Sequence, residues 1–283
     1  MSIESGVILF IFGLAIGSFL NVLALRYDGE RWDTGGRSRC PHCGHTLRWF
    51  ELIPLISFII QGGKCRNCRA KIGWKYPLVE LLSAAIFVAV PWRFAAYPWL
   101  APTGWYIFSA FWIVAFELLL LVAYIDLRLE IVPDELVVVL GALAIFETIF
   151  VAAYVGAPWQ SFVGPYAAVF WWYGNAWAGH IAGAVFGGGF FALLVIATRG
   201  KGMGMGDVKL GIPLGLLFGW PDILILYAAA FIIGSVVGLA SIARGIKSRK
   251  SPIPFVPFLA LGAAFVFFLG TGFFSWYFRI IGL

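Results

Sequence analysis

The chain repeatedly runs for close to twenty residues with almost no charge, and that pattern restricts it to folds whose backbone polar groups are satisfied inside a hydrocarbon layer. Eight such stretches can be marked, at approximately 5–24, 76–92, 105–125, 135–155, 177–198, 207–219, 222–243 and 255–276, of which the sixth is short and lies close to the seventh. Only 12% of the 283 residues are charged, about half the share expected of a soluble domain. The expected fold is an all-α polytopic membrane protein of about eight transmembrane helices. Residues 1–25 lack a basic leader and a small-residue cleavage site, so they are expected to remain as the first transmembrane helix.

Basic residues collect on the cytoplasmic side of short membrane loops. With the N-terminus outside, eighteen of the twenty Lys and Arg face inward: ten within 26–75, then Arg128, then Arg199, Lys201 and Lys209, then four within 244–250. Only Arg93 and Arg279 fall outside, and segment 156–176 is free of basic residues and rich in Trp, as an interfacial belt would be. The net charge of +6 therefore reports topology and contact with anionic lipid heads. Membrane lipids are expected partners and nucleic acid is not, because no basic stripe is interleaved with stacking aromatics outside the membrane region.

Segment 26–75 is the long polar stretch of the chain and holds all four cysteines. A domain this small needs a metal or disulfides to fold. Cys40-Pro41-His42-Cys43 and Cys65-Arg66-Asn67-Cys68 form two C-x-x-C knuckles with 21 residues between them, close to the spacing of structural four-cysteine zinc sites. A disulfide pair is the competing reading, disfavoured by the reducing cytoplasm. His42 and His45 flank the first knuckle and are expected to be bystanders, and zinc closed by four thiolates would hold the domain together rather than hydrolyse anything. The expected domains are thus 1–25, the first transmembrane helix, 26–75, the zinc domain, and 76–283, a transmembrane catalytic domain.

Carboxylates at the ends of apolar spans are rare and mark function. Asp207 follows a glycine turn in Gly204-Met205-Gly206-Asp207, and Asp126 ends another apolar run. Downstream of Asp126, Pro133 limits any helix, so Asp134 is expected to cap the next span. No such local cap is open to Asp126, for which the bland alternative is an ion pair with Arg128 or Lys209. For Asp207 the bland alternative is a helix N-cap. Both aspartates fall at cytoplasmic span ends of one topology, whereas Glu117 and Glu147 occupy apolar spans without a turn beside them. Paired carboxylates can take a proton from water and give one to a carbonyl or leaving amine, which suits an intramembrane aspartic protease. The helix start at Asp207 favours its ionised form, leaving Asp126 as the protonated partner. Gly204 and Gly206 would let enzyme backbone bind an extended substrate. Other glycines, as in Gly183-Ala184 to Gly187-Gly188-Gly189 and Gly234 to Gly238, recur at helical spacing, which in lipid means close helix packing. They lack the strand–turn–helix context of a nucleotide site.

Six blocks in order resemble the type IV prepilin peptidases: Gly17-Ser18-Phe19-Leu20-Asn21-Val22, the two knuckles, Tyr76-Pro77-Leu78-Val79-Glu80-Leu81, Ile125-Asp126 through Val132-Pro133-Asp134, Gly204-Met205-Gly206-Asp207-Val208-Lys209, and Ile253-Pro254-Phe255. The resemblance covers essentially the whole chain. It implies an enzyme of the bacterial inner membrane that cuts the basic leader of prepilins or pseudopilins after a glycine, on the cytoplasmic face, through Asp126 and Asp207. It also implies N-methylation of the new N-terminus with S-adenosylmethionine as donor, for which polar residues of the first cytoplasmic segment and Glu80 are candidate contacts. The pilus or type II secretion machinery would be an indirect partner. Val132, where the family commonly has Ile or Leu, and Val256, where Gly is frequent, depart from the pattern, and neither is expected to touch the aspartates. Two other classes compete: a proton-coupled transporter using the aspartates as a relay, and a non-catalytic scaffold of the assembly machinery.

Overall fold

A computed structural model describes residues 2–33, 35–95, 102–155, 161–170, 175–200, 202–246, 248 and 251–280. Residues 156–160 and 171–174 of the Trp-rich segment, and Lys201, Lys247, Arg249 and Lys250, lie outside the described residues. The helices are α1 (Ile3–Arg26), α2 (Ile56–Ile60), α3 (Lys75–Ala95), α4 (Pro102–Leu129), α5 (Asp134–Phe150), α6 (Ala176–Thr198), α7 (Met205–Phe218), α8 (Asp222–Ala243) and α9 (Val256–Ile280). No strand occurs among the described residues, which pair only through isolated bridges. All eight marked stretches are helical. Seven helices are long and apolar enough to cross a membrane, and the sixth stretch, α7, falls short. Its 14 residues reach about 21 Å, against a hydrocarbon core of about 30 Å.

The chain divides into two compact units, Met1–Ile125 and Asp126–Leu283. In the first unit α1 lies against α3, and glycines set the distance. A side chain at Gly17 would come within 2.6 Å of the Glu80 Cα, and one at Gly13 equally close to the Ala84 Cα. The Ser83 hydroxyl donates to the Gly13 carbonyl at 2.7 Å, and the Asn21 amide donates to the Tyr76 carbonyl at 3.1 Å. Two of the family-like blocks, around Gly17 and around Glu80, are therefore the two sides of one helix contact.

The second unit is organised by an antiparallel seam between α6 and α7. Gly183 faces Gly215, and Gly187 faces Gly211, so closely that a Cβ at Gly183 or Gly187 would fall on the facing carbonyl oxygen. In lipid, helices gain from contact and interhelical polar bonds rather than from hydrophobic transfer, so small residues that let backbones touch are the effective glue. The Tyr227 hydroxyl of α8 closes the seam by donating to the Gly187 carbonyl at 2.9 Å. At the end of the unit where α5 and α7 finish and α6 begins, buried Asp222 accepts from the Ser161 hydroxyl and the Phe162 N–H, each at 2.6 Å. That carboxylate ties the Gly164–Phe170 turn to the start of α8.

Gly187→Val is expected to lower unfolding resistance in detergent by about 1–3 kcal/mol, the usual cost of overpacking. Gly189→Ala, where an added Cβ meets nothing within 4 Å, should leave it unchanged in the same denaturation assay.

Candidate active site and metal centre

Asp126 occupies the last turn of α4. That helix ends as Glu130 turns left-handed (φ 56°) and returns its N–H to the Asp126 carbonyl at 2.9 Å. The Asp126 side chain is buried and accepts the N–H of Val256, the first residue of α9, at 3.0 Å. A helix start leaves N–H groups without partners, and here they can be accounted for. Val256 gives its N–H to Asp126, Pro257 has none to give, and the N–H groups of Phe258 and Leu259 turn back to the Phe255 carbonyl. Asp126 thus caps a helix after all, though one 130 residues away rather than the next in sequence.

Asp207 is the third residue of α7, whose N-cap is Gly204. Its buried carboxylate lies beside the Gly204 backbone N–H, on the side to which an acidic residue at the third helical position reaches back. It is therefore not itself the N-cap. Each of the two carboxylates sits at a helix N-terminus, Asp126 at that of α9 and Asp207 at that of α7, so the helix-start asymmetry expected to distinguish them is absent. Both belong to the same unit, at one end of it, and each lies within electrostatic reach of the other.

Asp134 does not cap α5. The N-cap there is Pro133, with no side-chain bond, and both Asp134 carboxylate oxygens instead take the Lys209 ammonium, at 2.7 and 2.8 Å. Lys209 is thus not the partner of Asp126, and the Val-Pro-Asp and Gly-x-Gly-Asp-Val-Lys blocks are joined by this exposed pair. Of the two departures from the family pattern, Val256 touches an aspartate, contrary to expectation, whereas Val132 lies against Gly206. Val256 supplies the N–H to Asp126, and a Cβ at Gly206 would lie 2.9 Å from the Val132 side chain. Gly206 consequently has a packing reason of its own. Gly204 is exposed, and an added Cβ would meet only the Gly206 nitrogen at 3.8 Å and Asp207 Oδ2 at 3.9 Å.

Sequence reasoning missed the Val256 N–H and Tyr227. The first had a signal: the Pro-Ile-Pro-Phe run before α9 offers no Ser, Thr, Asp or Asn cap, so a donor-hungry helix start had to find its acceptor elsewhere. Phe255 closes this side, packing on Phe231 at 4.9 Å and on Phe191 at 5.9 Å between ring centres. Glu147 is buried at the opposite end, 3.9 Å from His180 Nδ1, which is bonded to the Leu216 carbonyl at 2.6 Å.

The first unit carries the thiol cluster. The ligand atoms of Cys40, Cys43, Cys65 and Cys68 lie within 4.8 Å of one another, and Cys40 and Cys68 Sγ are 3.9 Å apart. Thiolates about 2.3 Å from a tetrahedral zinc stand about 3.8 Å apart, so the cluster has the dimensions to hold that ion. The knuckles are built alike. Cys40 N–H bonds the His45 carbonyl and Gly44 N–H bonds the Cys40 carbonyl, while Cys65 N–H bonds the Ala70 carbonyl and Arg69 N–H bonds the Cys65 carbonyl. Arg69 (φ 60°) takes the left-handed place that Gly44 (φ 69°) takes in the first knuckle. The His45 N–H and then the Asn67 amide hold the Cys43 thiol down to about 6, toward the thiolate that binds metal. Neither His42 nor His45 joins the cluster. Glu80, the next of the sequence-predicted contacts along the chain, accepts the Leu55 N–H at 2.9 Å.

Fold and site define a multi-pass membrane protein with two buried carboxylates in a helical unit and, between its first two spans, a four-thiol cluster that could hold a metal ion. The chain belongs to the type IV leader peptidase family: that family's pattern matches residues 113–239, and the bacterial peptidase A24 N-terminal domain matches residues 11–94. The relative from Bacillus subtilis (strain 168), named prepilin leader peptidase/N-methyltransferase, is 31% identical over 273 residues, covering 96% of this chain and 98% of its own. Proteins of the same name from Burkholderia pseudomallei (strain K96243) and Pseudomonas aeruginosa are 33% and 30% identical, covering 93% and 88% of this chain and 85% of their own. No solved structure matches the chain.

In a double-mutant cycle, Asp134→Asn and Lys209→Met are expected to show a coupling of about 0.2–1 kcal/mol, the value for an exposed pair. Chemical denaturation of the four variants reads it, with coupling shrinking as salt rises.

Proposed function

We propose that this chain cuts the leader from type IV prepilins or pseudopilins at the cytoplasmic face of the inner membrane, with Asp126 and Asp207 as the catalytic pair. The observation that carries the reading is two buried carboxylates in electrostatic reach within one helical unit, in a chain whose family match spans both. One ionised carboxylate takes a proton from a water held between the two as its oxygen attacks the scissile carbonyl carbon. The protonated partner gives its proton to the carbonyl oxygen, and collapse of the tetrahedral intermediate sends a proton to the departing amine. Gly204, exposed beside Asp207 Oδ2, is where an extended substrate backbone has room to approach. Gly206 adds indirectly, by admitting Val132 against the turn.

Sidedness rests on the distribution of basic residues, which puts the thiol cluster and the aspartate end of the helices in the cytoplasm. Zinc held by Cys40, Cys43, Cys65 and Cys68 supplies structure to a segment too small for its own core, and no hydrolytic step. Methylation of the new N-terminus, the second half of the relatives' name, draws on S-adenosylmethionine. Glu80 already holds the Leu55 N–H and is buried, which makes polar residues of the inserted segment the better contacts.

Purified protein given a prepilin and S-adenosylmethionine should yield a product lighter by the leader and heavier by a methyl group, read by mass spectrometry. Asp126→Asn and Asp207→Asn each keep an oxygen for the Val256 or Gly204 N–H, so both should fold, yet each should lose at least about 100-fold in cleavage. Normal cleavage by either variant removes that residue from the catalytic pair.

Metal analysis should find one zinc per chain, absent in Cys40→Ser. The same variant should unfold at lower temperature.

A further inference from the structure

The inserted segment is polar as a whole, yet it contains Leu52-Ile53-Pro54-Leu55-Ile56-Ser57-Phe58-Ile59-Ile60, an apolar run far too short to cross a bilayer. Its second half is α2, a single turn and a half on which Ile56, Ile59 and Ile60 stand at helical i, i+3, i+4 spacing and are 54, 74 and 79% exposed. A soluble domain would bury such a face or lose solubility by it. Two contacts fix where that face lies. The Leu55 N–H, at the entry to α2, is held by Glu80 at 2.9 Å. Glu80 stands five residues beyond Lys75 on α3, about 7.5 Å along a helix that crosses the membrane. Phe58 packs edge-on against Trp74, the residue before α3, with ring centres 5.0 Å apart.

α2 is thereby clamped beside the first turns of a spanning helix, level with apolar residues of α3 that face outward, Leu78 (55% exposed) and Leu81 (44%). Lys64, Lys71 and Lys75, exposed at the ends of the same segment, supply the charge that anionic headgroups attract. Leu55 takes a positive φ (57°, with ψ −48°) at the centre of a tight turn in which the Ile56 N–H bonds the Pro54 carbonyl, a conformation costly for a residue with a side chain.

We propose that α2 is an interfacial anchor: Ile56, Ile59 and Ile60 are immersed at the headgroup–acyl boundary of an anionic bilayer, holding the thiol-cluster domain against the membrane surface. The lipid-facing side of α3 continues without a break into the exposed face of α2, and the lysines complete the match to an acidic lipid surface. Glu80 acts here as a positioning residue, setting the depth of α2 through the Leu55 N–H.

The full-length protein, with a benzophenone amino acid in place of Ile60, is reconstituted in nanodiscs of phosphatidylcholine and phosphatidylglycerol and irradiated. Intact-mass analysis should show phospholipid adducts at a yield within about threefold of the same label at Val185, an outward-facing residue of spanning helix α6. Ile59 carries the label in a second variant, so that one misfolded protein does not decide the result. Adduct yields at both positions below a tenth of that at Val185 overturn the proposal, as does a crosslink to a second copy of the chain in place of lipid. Glu80→Ala, which leaves the Leu55 N–H without its acceptor, should reduce the Ile60 yield severalfold without changing that at Val185, and an unchanged Ile60 yield removes Glu80 from the depth-setting role.

Discussion

A helix that begins inside or at the edge of hydrocarbon must find partners for N–H groups that water would otherwise satisfy. In this protein the partner for α9 is the Asp126 carboxylate on the Val256 N–H. The bond locks the last turn of α4 to the first turn of α9, and it gives Asp126 a fixed orientation before any substrate arrives. Asp207 stands in the same setting at the start of α7, beside the Gly204 N–H. Each helix start and its acidic side chain therefore solve each other's problem: the N–H group meets an acceptor, and the carboxylate is given an orientation.

Close approach of helix backbones does the rest of the positioning. Gly183, Gly187, Gly211 and Gly215 let α6 and α7 touch, so the height of Asp207 is set by a rigid seam rather than by a mobile loop. Gly13 and Gly17 do the same for α1 and α3, where Glu80 and Asn21 bond across the contact or to the segment beside it. The exposed Asp134–Lys209 pair ties the α4–α5 turn to the first turn of α7, adding register where the surroundings are wet and its energy is small.

What the sequence disclosed depended on how local the physics was. Apolar run length disclosed the spans and even marked 207–219 as short, because length alone decides whether a helix crosses. The knuckles were legible because C-x-x-C chelation is a matter of adjacent residues, although nothing in Arg69 announces that it must occupy a left-handed position. Asp134 was misjudged because the position after a proline is a common cap, and the lysine that claims it lies 75 residues away. The role of Asp126 was half visible: its cost in hydrocarbon was plain, and its partner, a backbone N–H, has no side-chain signature at all. The apolar run around α2 was hidden by averaging over a segment that is polar overall.

The α6–α7 seam has a geometric consequence for what can reach Asp207. Continuing the pairing of Gly187 with Gly211 toward the start of α7 sets Asp207 level with Phe191, seven residues short of the end of α6 at Thr198. At 1.5 Å per residue, α6 rises about 10 Å above the carboxylate. The 14-residue helix is thus a sunken floor beside a taller wall. Anything that approaches the Asp207 carboxylate along this side of α7 must therefore pass the last two turns of α6.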